Sequence, residues 1–70
     1  MIVVTGASRG LGEAICHRFS GKGERVIGLA RSVNELEFEG ISCDVGDYQS
    51  VKSAARQIRK IGEPVDAVIN

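Results

Sequence analysis

Thr5-Gly6-Ala7-Ser8-Arg9-Gly10-Leu11-Gly12 is the stretch on which the reading of this chain turns. Ahead of it stands Met1-Ile2-Val3-Val4, a short apolar, β-branched run of the kind that forms a buried parallel strand. Behind it Leu11, Ile15 and Phe19 recur four apart, one stripe of a helix. A strand, a glycine turn and a helix in this order can hold a nucleotide pyrophosphate at the helix N-terminus.

Each glycine has its own expected task. Gly6 lets the strand reverse into the helix, since it can take backbone angles that a side chain forbids. At Gly10 a phosphate must approach the main chain, and a Cβ would stand in its way. Gly12 falls in the first helical turn, where a bare Cα allows the helix to pack tightly on the strand. The unpaired N–H groups of that turn, with the positive end of the helix dipole, then face the phosphates.

The spacing is Gly-xxx-Gly-x-Gly, with Thr5 in front. In this it resembles the short-chain dehydrogenase/reductase family, and specifically its simple, non-extended branch. The wording Thr-Gly-Ala-Ser-Arg-Gly is similar to that of the 3-oxoacyl-carrier-protein reductases within the family, although many relatives share it. The resemblance implies a Rossmann-type doubly wound α/β sheet, a nicotinamide cofactor, and hydride transfer between that cofactor and a carbonyl or alcohol carbon. A tight turn that binds nothing is the alternative for the glycine stretch taken alone.

The remaining segments fit such a sheet. Helix is expected from about Gly10 to Ser20, ended by Gly21-Lys22-Gly23. Glu24–Ala30 reads as a second buried strand and Ile41–Val45 as a third. Between them Arg31–Gly40 is short and polar, with Glu35, Glu37 and Glu39 expected on a solvated face. Asp47 is placed as an N-cap for a helix from about Tyr48 to Ile61. Val51, Ala54, Ala55, Ile58 and Ile61 are expected on the buried face of that helix. Gly62 and Pro64 stop it, and Val65–Ile69 reads as a fourth strand. Right-handed crossovers then predict the strand order 3-2-1-4, the nucleotide-binding half of a doubly wound fold.

Composition narrows the partners. The formal net charge is zero, which argues against nucleic acid, and no stretch approaches a membrane-spanning length. With a strand opening at Met1, no targeting segment is expected ahead of the fold, and the cytoplasm is the expected compartment. Cys16 and Cys43 are expected as reduced thiols in or near the core, with no ligand cluster for a metal. His17 lies off the apolar stripe and is expected at the surface. The partners expected are a small-molecule carbonyl or alcohol substrate and, in the complete protein, further copies of itself.

The end of the second strand bears on the nucleotide. Cofactors without a 2′-phosphate are usually held there by an acidic residue on the ribose hydroxyls. Here Ala30 and Arg31 occupy those positions, and a guanidinium can bind a phosphate bidentately. Arg9 can approach the same phosphate from the glycine turn. In the family a basic residue at each of these places accompanies NADP(H). The resemblance further implies that Asp44 accepts from the adenine amino group and that Val45 lines the ring. Asn70 matches the first residue of the family's Asn-Asn-Ala-Gly stretch. The expected NADP-binding residues are thus Gly6, Ser8, Arg9, Gly10, Leu11, Gly12, Arg31, Asp44, Val45 and Asn70.

The family's catalytic tyrosine and lysine follow the fourth strand, so no catalytic residue is expected among these 70 residues. Tyr48 and Lys52 have the Tyr-xxx-Lys spacing but fall beside the adenine half, away from the nicotinamide. The expectation is an N-terminal part of a single NADP-binding domain, truncated before its catalytic region and unstable alone. A non-catalytic NADP(H)-binding module or truncated relative is the alternative to the oxidoreductase.

Overall fold

The computed structural model describes residues 1–8, 10–33, 36 and 38–70. Its elements are β1 (Ile2–Thr5), α1 (Gly10–Ser20), β2 (Val26–Ala30), β3 (Gly40–Ser42), α2 (Tyr48–Ile61) and β4 (Ala67–Ile69). The four strands form one parallel sheet ordered β3-β2-β1-β4, the doubly wound order expected from the sequence. Val3 stands at its centre, level with Ile27 of β2 on one side and Val68 of β4 on the other.

Strand alternation sends successive side chains to opposite faces, so β1 and β2 can be apolar throughout and still supply two cores. Met1, Val3, Ile27, Leu29, Ile41 and Cys43 meet Ala54 of α2 on one face. Ile2, Val4, Ala7 and Val26 meet Cys16 of α1 on the other, with Ile15, Phe19 and Phe38 at the margin. Ile27, Val4 and Cys16 are the largest fully enclosed side chains. Both cysteines are buried and unpaired, as their placement in the sequence suggested.

Both helices keep their expected bounds because their ends are written locally. Asp47 has extended backbone, and its carboxylate accepts from Gln49 N at 3.1 Å. Gly62 closes α2 in the left-handed region at φ +79°, its N–H donating to Arg59 O.

The strands are shorter than their apolar runs. β2 opens at Val26 instead of Glu24, since Glu24 N turns back to Phe19 O. β3 stops at Ser42 instead of Val45. Cys43 N still reaches Ala30 O, but Asp44 N takes Ser50 Oγ, and the chain leaves the ladder there. β4 begins at Ala67, although Asp66 N already donates to Met1 O.

Two helical faces also differ from expectation. Leu11 is 77% exposed, so Ile15, Cys16 and Phe19 carry the packing of α1. On α2 only Ala54 is buried; Ile58 and Ile61 are half-buried, while Val51 and Ala55 are exposed. The reason is the same in both places: among the described residues no layer lies over β4. An open apolar groove of about 440 Å³ separates α2 from β4, lined by Val3, Val51, Ala55, Ile58, Val65 and Val68 among others.

Ion pairs gather at the N-terminal ends of the strands. Arg25 bonds both carboxylate oxygens of Glu39 and also Glu63 Oε2, the last at 2.7 Å. The Met1 ammonium donates to Asp66 Oδ2 at 2.7 Å. Glu39 therefore belongs to an ion-pair network, while Glu35 and Glu37 lie outside the described residues.

Candidate functional site: a hollow at the C-terminal ends of the strands

The chain leaves β1 through two glycines in the left-handed region, Gly6 at φ +62° and Gly10 at φ +61°. An L side chain at either would be strained, by about 1–2 kcal/mol for alanine-like residues. Among the described residues, a Cβ at either would nevertheless meet nothing within 4 Å beyond its chain neighbours. The need for a positive φ at Gly10 was not visible from spacing alone. Gly12 is different. A Cβ there would strike Gly6 O and stand 2.8 Å from Gly6 C and 3.1 Å from Thr5 O. The close approach of helix to turn expected at Gly12 is therefore present.

The turn is tied to the sheet by Ala7, fully buried, whose N–H donates to Leu29 O at 3.2 Å. This seats Gly6 and Ser8 over the ends of β2 and β3. There a hollow of about 330 Å³ is lined by Gly6, Ser8, Leu29, Ala30, Arg31, Ser32, Cys43, Asp44 and Val45. Its volume is at the low end for ligand sites. Five of the residues expected to bind a nucleotide meet in it: Gly6, Ser8, Arg31, Asp44 and Val45. Ser32 and Cys43 join them without having been singled out, although Ser32 directly follows Arg31 in the sequence.

Leu11, Gly12 and Asn70 are not in that hollow. They line a smaller one, about 200 Å³, on the other side of the turn, together with Thr5 and Ile15. Thr5 Oγ1 lies 3.2 Å from Asn70 Oδ1 and 3.4 Å from Ile69 O, which joins the ends of β1 and β4. Arg9 lies outside the described residues.

Asp44 already has partners within the protein. Its Oδ1 accepts from Gly46 N at 2.9 Å and its main-chain oxygen from Asp47 N at 3.0 Å, so it closes the turn before α2. A carboxylate has about four acceptor sites, so capping a turn leaves capacity for a ligand donor. Val45 beside it is 68% exposed, a bare aliphatic surface at the mouth of the hollow.

Other candidate groups have plain structural surroundings. The His17 ring stands edge-on to Phe38, with centroids 5.5 Å apart and planes at 88°. Lys52 Nζ sits 5.5 Å from the centroid of the exposed Tyr48 ring, a surface cation–π pair on α2. Burial, with the Glu13 charge second, pushes the Cys16 thiol up from its ordinary range. Among the described residues there is no group of three or more side chains able to hold a metal, and no helix long and apolar enough to cross a membrane.

A parallel sheet ordered 3-2-1-4, with a glycine turn opening onto a helix beside a hollow at the strands' C-terminal ends, defines a Rossmann-type fold. The short-chain dehydrogenase model matches residues 1–70, and the chain belongs to that family. It is 35% identical over 77 aligned positions to the 3-oxoacyl-[acyl-carrier-protein] reductase FabG of Escherichia coli K12, covering 97% of this chain and 32% of that protein. It is 35% identical over 68 positions to the NADPH-dependent 3-dehydrocapnine reductase of Ornithobacterium rhinotracheale, covering 84% of this chain and 24% of that protein. The solved structure of 4-hydroxyisoleucine dehydrogenase complexed with NADH and succinate superposes with a TM-score of 0.87 at 25% identity, over all of this chain and 33% of the other. The chain thus spans about a third or less of the length of the relatives it matches.

Proposed function

We propose that residues 1–70 are the N-terminal, cofactor-binding part of an NADP(H)-dependent oxidoreductase that reduces a carbonyl by hydride transfer, in the manner of a 3-oxoacyl-carrier-protein reductase. The observation that carries the reading is the composition of the hollow at the β2 end. Arg31 and Ser32 line it where a cofactor lacking the 2′-phosphate would be met by a carboxylate, and Ala30 leaves room beside them.

The residues present fit a dinucleotide. The open main chain at Gly6 and Gly10 and the first N–H groups of α1 are suited to the pyrophosphate. Ser8 and Arg31 would take the 2′-phosphate side, with Arg9 as a second cation. Asp44 and Val45 would take the adenine, Leu11 and Gly12 the phosphate side, and Asn70 would contact the adenine-side ribose and support the sheet. When bound, the nicotinamide supplies the hydride. This chain's own part is to hold and orient it, and the proton chemistry belongs to residues beyond these. The relatives' greater length and the uncovered groove beside β4 support a longer domain. One relative is an NADPH-dependent reductase and a structural neighbour was solved with NADH, so the preference must rest on this chain's residues.

The test starts from the natural polypeptide, whose intact mass should exceed 7.5 kDa. NADPH and NADH are then titrated against parent and Arg31→Ala. A charge-assisted bond contributes about 1.5–3 kcal/mol, so the variant should lose roughly ten- to hundredfold in NADPH affinity. NADH affinity should change little. Equal losses for both cofactors would show that Arg31 does not read the 2′-phosphate.

A further inference from the structure

We propose that Ser42 is a specificity-determining positioning residue: its hydroxyl fixes the turn from which Arg31 reaches a 2′-phosphate. This rests on the cofactor reading above. Ser42 is the last residue of the edge strand β3, level with Ala30. Its Oγ donates to Arg31 O at 3.0 Å. The next residue, Cys43, donates its N–H to Ala30 O at 2.8 Å. The consecutive carbonyls of Ala30 and Arg31 are therefore both taken up from the same side, by Cys43 and Ser42. An extended chain cannot offer both, because successive carbonyls point to opposite sides. The chain has turned at Arg31, and the serine hydroxyl holds the redirected carbonyl in place.

The side chain of Ser42 is not among those lining the hollow, whereas Arg31 and Ser32 are. Ser42 would thus act on a bound cofactor only through the main chain of Arg31. A long, exposed arginine has many rotamers, and fixing its Cα and the direction of its departure lowers the cost of presenting the guanidinium to a phosphate. NADH has no phosphate at this place, so the benefit is confined to NADPH.

The experiment is a double-mutant cycle on the intact natural polypeptide, read as dissociation constants for NADPH and NADH. Ser42→Ala should raise the NADPH constant about three- to tenfold, the range of one hydrogen bond, and leave the NADH constant within about twofold. Ser42→Thr, which keeps the hydroxyl, should restore NADPH binding. In the Arg31→Ala background Ser42→Ala should add nothing, since no guanidinium remains to be placed. An unchanged NADPH constant in Ser42→Ala, equal losses for both cofactors, or an undiminished effect without Arg31 would each overturn the proposal. If Arg31→Ala discriminates between the cofactors and Ser42→Ala does not, only the serine's role falls. If Arg31→Ala itself fails to discriminate, the 2′-phosphate reading falls and the serine's role falls with it.

Discussion

Replacing Gly12 by alanine sets two effects of known size against each other. Alanine is the better helix former by about 1 kcal/mol, and propensity alone predicts a more stable protein. Against this, the new Cβ would strike Gly6 O and stand 2.8 Å from Gly6 C and 3.1 Å from Thr5 O. All three are main-chain atoms of the turn, so none can move aside by a change of rotamer. Overpacking typically costs about 1–3 kcal/mol, and main-chain obstacles place this site at the upper end. The expected balance is a loss of about 2 kcal/mol, or about 1 M in the urea midpoint at an unchanged slope. Gly10 provides the contrast, because among the described residues an added Cβ would meet nothing within 4 Å beyond its chain neighbours, and its φ is +61°. There the cost is one of handedness, which asparagine tolerates better than alanine. Gly10→Asn should therefore be milder than Gly10→Ala, while Gly12→Asn should be worse than Gly12→Ala. Urea titrations of the four variants decide the matter. A Gly12→Ala protein as stable as its parent would refute the close-approach argument.

Two further outcomes follow from helix caps and burial. Asp47→Ala removes the acceptor for Gln49 N and should cost about 1 kcal/mol in urea unfolding, whereas Asp47→Ser should recover most of it. Because burial raises the Cys16 pKa, the neutral thiol contributes stability that is fully present below the ordinary value of 9.0 and is lost as pH rises through the folded value. Unfolding free energy should therefore fall above pH 9.0, and the part of the fall absent from Cys16→Ala measures the thiol's share.

Most of the sheet was legible because its signals are local. Val3-Val4 and Val26-Ile27 are β-branched runs, Asp47 and Gly62 write the ends of α2, and the three glycines of the turn place α1 behind β1. The bounds of β3 and the exposure of Leu11 and Val51 were not legible, because each depends on what lies across space. β3 ends where the chain turns towards α2, with Asp44 N donating to Ser50 Oγ six residues on. Leu11 and Val51 satisfy a helical stripe, yet a stripe states which side is apolar and not how far a neighbouring layer extends. At the site, Arg31, Asp44 and Val45 could be named from their places at strand ends. The division of the glycine turn between two hollows, with Asn70 and Leu11 on the far side from Arg31, needed the fold. So did the bond from Ser42 to Arg31.

The Arg25 network and the Met1–Asp66 pair lie at one rim of the sheet, and the hollow lies at the other. Arg31, proposed above to read the 2′-phosphate, and its neighbour Ser32 are exposed and belong to neither core. Substitutions at that pair can accumulate without disturbing the packing or the electrostatic fastening at the opposite rim. On the proposed reading, cofactor choice and folding are separable heritable traits in this molecule, and a lineage or an engineer could exchange one while keeping the other.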